Sequence, residues 1–173
     1  MHTYSMHRAV AIAAMALFGA VTFASAGDYR QLTPLLVDLK GWNAEKATGA
    51  NLNAGGHAMT TAARAYEKGA SSFAVSIVVS AGAAAQANAM NMSFESEGVK
   101  VNIATIDGFK TQTTYTSGDK SGVIVVALWQ NAAGTLGAVA TFAFNGMTDT
   151  DALALAKQFN WTALKTAVET AAK

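Results

Sequence analysis

The chain has 173 residues, no cysteine, and 12 basic against 11 acidic side chains. The lack of cysteine excludes disulfides, thiol chemistry, iron–sulfur clusters and cysteine-based zinc sites. The balanced charge, with no basic block, gives neither the phosphate-neutralising patch that nucleic acid requires nor a polybasic patch for a membrane surface.

Residues 1–26 read as an export signal. Arg8 supplies a positive n-region, Ala9–Val21 an apolar core, and Ala24-Ser25-Ala26 a small-x-small cleavage site leaving Gly27 as the mature start. Met6 is an alternative start that gives a more compact n-region. The rival is an uncleaved anchor, because residues 9–26 approach the ~20 that a bilayer requires. Gly19, Thr22 and Ser25 weaken that rival. The expected organisation is a signal peptide over 1–26 and a single domain over 27–173, free in the periplasm or secreted, with no membrane attachment after cleavage. The remaining 147 residues (173 less 26) suffice for one core without a staple. Without Arg8, 11 bases face 11 acids and the formal charge is zero.

Leu32–Trp42 (LTPLLVDLKGW) predicts a short helix, with Thr33 as cap, Pro34 at the first helical position and Gly41 as the stop. Leu35, Leu36 and Leu39 form its apolar stripe. The polar, Gly/Asn-rich stretch from Asn43 to Gly56 reads as an irregular first strand or a loop. A hairpin follows, with arms Ala58–Tyr66 and Ser71–Ser80 and a turn at Glu67-Lys68-Gly69. Phe73, Val75, Ile77 and Val79 alternate onto one face of the second arm. Ala81–Met92 (AGAAAQANAMNM) has high helix propensity and should cross the sheet, its small side chains allowing close packing.

Four strand-like runs come next. Val99, Val101 and Ile103 alternate before Asp107-Gly108, the strongest hairpin signal in the chain. Phe109–Thr116 alternates weakly, and Gly122–Gln130 is apolar on both faces, as a central strand would be. Thr135–Asn145 puts Leu136, Ala138, Ala140, Phe142 and Phe144 on one side. Thr148-x-x-Asp151 resembles a capping box before an apolar stripe of Ala152, Leu155, Ala156 and Phe159. Asn160 starts a last helix carrying Trp161, Leu164 and Val168. Turns this short force antiparallel pairing. The expected fold class is α+β: a single domain with an antiparallel sheet of about five to seven strands and helices packed on one face.

Residues with chemistry are few. His57 is the single histidine after the leader, beside Gly55-Gly56, with no recognisable nucleophile or orienting acid near it in sequence. No serine sits in a Gly-x-Ser-x-Gly context. Met90, Met92, Met59 and His57 are residue types that bind Cu(I), but methionine more often fills core gaps, and positions i and i+2 do not share a helix face. Asp149 and Asp151 suit a helix N-terminus, while Asp107 and Asp119 sit in turns. Trp42, Trp129 and Trp161 read as packing anchors, with Trp42 the best placed for a groove because it borders the polar 43–56 stretch.

The motifs Leu35-Leu36-x-x-Leu39-x-Gly41-Trp42, Ala62-Ala63-Arg64-Ala65-Tyr66, Asp107-Gly108-Phe109 and Thr148-Asp149 resemble recurring features of small exported bacterial proteins of unknown function. By element order alone, the layout is also similar to the PsbP/Mog1 type of fold, a likeness that transfers no site.

The favoured reading is an exported, non-catalytic envelope or secreted protein that binds an unknown protein partner. A sheet face left bare would offer residues such as Thr111, Thr113 and Tyr115. The alternative is a periplasmic carrier of a small apolar ligand, held in a pocket between the sheet and the 81–92 helix. A hydrolytic enzyme is the least supported reading. No cofactor and no metal is implied, and the candidate ligand- or partner-binding residues are Trp42, His57, Met59, Met90 and Met92.

Overall fold

The computed structural model describes residues 28–54 and 57–172; the expected leader lies outside these, as do Gly55 and Gly56. Nine strands form one antiparallel sheet: β1 (Asn43–Ala44), β2 (Thr48–Ala54), β3 (His57–Lys68), β4 (Ser71–Ser80), β5 (Phe94–Ser96), β6 (Val99–Ile106), β7 (Phe109–Thr116), β8 (Ser121–Gln130) and β9 (Gly137–Asn145). Among the described residues three α-helices accompany it: α1 (Ala81–Ala89), α2 (Asp149–Ala156) and α3 (Trp161–Ala171). The spatial order is β1-β3-β4-β9-β8-β7-β6-β5, with β2 also on β3.

The α+β class and the antiparallel sheet stand as expected, but there are nine strands rather than five to seven. The polar 43–56 stretch pairs along β3 in two pieces, Asn43↔Glu67 to Ala44↔Tyr66 and Thr48↔Ala63 to Ala54↔His57. Phe94–Ser96 adds a short edge against β6. Turn chemistry sets the remaining registers. Asp107 and Gly108 have φ of 51° and 85° between the partners Ile106 and Phe109, the doubly left-handed geometry of a two-residue hairpin. Crossover α1 carries the chain from β4 to the far edge, and the β5–β9 meander returns to seat β9 between β4 and β8.

The helices lie on both faces, which corrects the one-face arrangement. On one face, α2 and α3 cover Phe73, Val75, Ile77, Ile124, Val126, Ala140, Phe142 and Phe144. Phe142 packs on Phe159 at 5.4 Å between ring centroids, and Phe73 stacks on Phe142 at 6.0 Å. The buried Trp161 ring donates its Nε1–H to the Ala156 carbonyl at 2.9 Å. The helices start as the sequence predicts, with Thr148 Oγ1 accepting from Asp151 N at 3.1 Å and Asn160 Oδ1 accepting from Ala163 N at 2.9 Å.

Leu32–Trp42 does not form the expected helix. A 3₁₀ turn at Tyr29–Gln31 precedes it, the stretch itself makes only one, Thr33–Leu35, and Leu36 then leaves helical geometry at ψ 79°. Two β3 side chains take the carbonyls that a helix would use internally. Tyr66 donates its hydroxyl to Val37 O at 2.7 Å, and Arg64 donates to Leu36 O and to Glu45 O while pairing with Asp38. The extended path buries Leu32, Leu36 and Leu39 against the aromatic core instead.

Candidate interaction surface

Strand register shows what the opposite face of the sheet presents. The partners Ala65↔Ala74, Ala74↔Ala143, Ala143↔Val123, Val123↔Thr114, Thr114↔Val101 and Val101↔Phe94 form one row across seven strands. Side chains of directly paired residues share a face, so this row is continuous and carries no charge. The row above it, Ala63, Ser76, Thr141, Val125, Gln112 and Ile103, is also uncharged. The row below, Ser72, Asn145, Ser121, Thr116, Val99 and Ser96, ends in Glu67 on β3.

Helix α1 covers only one end of this face. Ala83, Ala87 and Met90 pack against Val125 and Val139, with Val78, Ile103, Val123 and Ala127 beside them. Ser80 caps the helix by accepting from Ala83 N at 3.0 Å. The seam is closed by direct backbone approach: a Cβ on Gly137 would lie 2.8 Å from Ala84 Cα. A side chain at 137 would lift the helix, so only glycine lets α1 sit this low. Beyond α1 no helix covers the face: Ala143 is exposed and Ala65, Ala74, Val123 and Thr114 are half-buried, while Val101 is buried. Two large apolar side chains border it, Phe94 at 51% and Met92 at 72% exposure.

α1 is unusual on its other side as well. Ala81, Ala85 and Ala89 are exposed and fall at helical spacing, and Gly82, Gln86 and Asn88 complete an outer surface without charge. Surface helices ordinarily put charged or polar residues there, and here only Gln86 and Asn88 are polar.

The residues singled out from the sequence do not converge on one site. Trp42 packs on Phe73 at 6.4 Å, with Lys68 Nζ 6.0 Å above its ring. Met90 is buried under α1, while Met92 points to solvent at the rim of the bare face. Met59, paired with Leu52 and two residues before Thr61 opposite Val78, lies on the α1 side of β3. His57 opens β3. Thr111, Thr113 and Tyr115 lie on the covered face: Thr111 is buried, Tyr115 stacks on Phe144 at 6.1 Å, and Thr113 faces α2. The bare side of β7 instead shows Lys110, Gln112, Thr114 and Thr116, one residue out of step. The missing signal was in β4 and β9, where the positions alternating with the large residues are Ala74, Ser76, Thr141 and Ala143.

Two depressions lie on the α2–α3 side, both open to solvent. One, of about 330 Å³, is lined by Asp107, Phe109, Lys157 and Trp161, with Lys157 Nζ 3.0 Å from Asp107. The other, of about 90 Å³, lies between Lys100, Asn102, Thr113 and Asp149. No group of three or more His, Asp or Glu residues among those described is arranged to hold a metal ion. The Tyr66 hydroxyl is pushed up to about 12 by burial, partly offset by the neighbouring Arg64 guanidinium. That shift belongs to the clasp on Val37, away from the bare face.

Comparison with known protein families, curated proteins and solved structures finds no match.

Proposed function

We propose that this chain is an exported, non-catalytic interaction module of the bacterial envelope or medium, and that the bare half-face beside α1 is its contact surface. One observation carries the reading: the row from Ala65 to Phe94 crosses seven strands without a charged side chain. A solvated sheet face ordinarily alternates polar and charged residues against the buried set. A face whose central row is uncharged, with its charges (Glu67 and Lys110) at the margins and Phe94 exposed at one end, has the character of a docking surface. The leader supports export, and no helix of the described residues is long and apolar enough to cross a membrane. The carrier alternative draws no support from the α1 seam, where helix and sheet backbones touch at Gly137 and Ala84.

The test is site-specific photocrosslinking in cells. A photoreactive residue at Ala143 should give adducts, and the same residue at Glu169 on α3 should not. Equal labelling at both positions, or none at either, overturns the reading. Mass spectrometry of the purified product should find Gly27 at its N-terminus, and a product that keeps Met1 or Met6 removes the exported, soluble setting.

A further inference from the structure

We infer that the outer edge of β2 is a self-pairing edge, on which β2 of a second copy of this chain adds as an antiparallel strand with a two-fold axis through Asn51. This edge is a surface distinct from the bare face, and the inference does not depend on the reading above. Among the described residues β3 is the one strand bonded to β2, so alternate residues of β2 turn their N–H and C=O groups away from the sheet. Natural edges are blunted by shortness, charge, proline or bulges. The rest of the sheet's margin is blunted in this way. At the far edge β5 has three residues, one of them Glu95. Beside β2, the β1 stretch is bulged: from Ala44↔Tyr66 to Thr48↔Ala63 the outer chain takes four steps and β3 takes three. Glu45 and Lys46 lie in that bulge, and Arg64 takes the Glu45 carbonyl. β2 has none of these devices. Its seven residues, TGANLNA, carry no charge and no proline and pair with β3 without a break, and Thr48, Asn51 and Leu52 are exposed.

Register is what selects a second copy. In an antiparallel pair, residues that turn their backbone groups toward the partner stand opposite residues that do the same. Between two copies of one strand this condition puts the two-fold axis through a residue and never between two residues. Overlap of all seven residues from Thr48 to Ala54 puts it through Asn51. An axis of this kind makes the contact isologous, so it closes as a dimer.

Side chains agree with that register on both faces. Leu52, 48% exposed and paired with Met59 on the α1 side, stands opposite the other copy's Ala50. Each large side chain therefore lies beside a small one, and the two leucines do not collide. On the other side Gly49 stands opposite Asn53, and its missing Cβ leaves room for the Tyr29 ring, which a Cβ there would approach to 2.5 Å. Asn51 stands opposite Asn51. Its Oδ1 accepts from Tyr29 N at 3.2 Å, which leaves a second lone pair for the other copy and leaves Nδ2 to donate in return. No charge is brought opposite a like charge anywhere in the overlap.

The absence of cysteine makes the register testable by single-cysteine cross-linking, on protein produced from the full reading frame. Directly opposed residues have Cα atoms about 4.5–5.5 Å apart, within the span a disulfide bridges. With glutathione disulfide as oxidant, a mixture of Ala50→Cys and Leu52→Cys proteins should give the mixed dimer in preference to either homodimer, because positions 50 and 52 oppose each other and neither opposes itself. Asn51→Cys should cross-link alone, and Thr48→Cys, far from the axis, should not. Sedimentation velocity from about 1 to about 200 µM, a span that detects micromolar self-association, should show the wild type passing from monomer to dimer. Leu52→Lys should weaken that association by about tenfold or more, and the same charge at Ala154 on α2 should leave it unchanged. A wild type that stays monomeric throughout overturns the inference. So does a mixture that forms homodimers as readily as the mixed dimer, whatever Asn51→Cys does. None of these readouts involves Ala143, so failure here is distinct from failure of the bare-face reading.

Discussion

The two faces of this sheet are built from adjacent residues of the same strands, yet they are different materials. In β9, Ala138, Ala140, Phe142 and Phe144 meet an aromatic core, while Val139, Thr141 and Ala143 turn the other way. In β4, Phe73, Val75 and Ile77 alternate with Ala74, Ser76 and Val78. The first face carries most of the large apolar burial, which is the main favourable term in folding. The second holds one small-residue helix at one end and leaves Ala143 exposed beyond it. Stability is therefore concentrated on one side. The other side is free to be flat, small and uncharged without loss of the fold.

Substitutions on the two faces should separate stability from association. The largest effect belongs to the aromatic face: Phe142→Ala should destabilise by about 3–5 kcal/mol, measured by urea unfolding, because it removes the ring between Phe73, Phe159 and Trp161. An effect below about 1 kcal/mol would mean that this face is not the core. Gly137→Val comes next. Its side chain would enter the Ala84 backbone, so α1 must lift at a cost of about 1–3 kcal/mol. Hydrogen exchange should then show faster exchange in α1 than in α3, and uniform acceleration across both helices would contradict the local account.

Tyr66→Phe tests the clasp that replaces the expected first helix. It removes the hydroxyl donated to Val37 and should cost about 1 kcal/mol. It also has a pH signature. The folded value of about 12 lies above the ordinary tyrosine value of 10.0, so the native state holds this proton more tightly than the unfolded chain. The resulting stability is complete below pH 10 and is lost as pH rises from 10 to 12. Relative to the wild type, Tyr66→Phe should flatten the decline of the unfolding midpoint over that interval; parallel curves would place Tyr66 outside this linkage. The smallest effect on folding belongs to Ala143→Glu, one residue from Phe142, which should change stability by less than about 0.5 kcal/mol because position 143 is exposed. A larger loss would show that the bare face is part of the core.

Two of the four sequence motifs used for the resemblance meet each other in space. Leu36 and its neighbours are held by Arg64 and Tyr66, and Trp42 packs on Phe73 beside Tyr66. The other two position the C-terminal helices. Phe109 meets Trp161 edge-on at 5.9 Å, and Thr148 caps α2. All four hold the fold together, and only the second also reaches the bare face, through Ala63 and Ala65. The surface residues went unread in the sequence because alanine, serine and threonine at alternate strand positions look alike whether a helix covers them or not.

Local chemistry was enough to write the hairpins, the central strand β8 and both C-terminal helix starts. Turn residues, period-two alternation and capping side chains act within a few positions of one another. Three matters depended on residues distant in the chain. Arg64 and Tyr66, about 28 positions on, draw 36–37 out of a helix. The return of β9 to β4 makes the α1 crossover span one face while α2 and α3 take the other. That choice of side makes Thr114, and not Thr113, part of the open surface, because in a strand the face of every side chain is settled by a single-residue parity that only packing can assign.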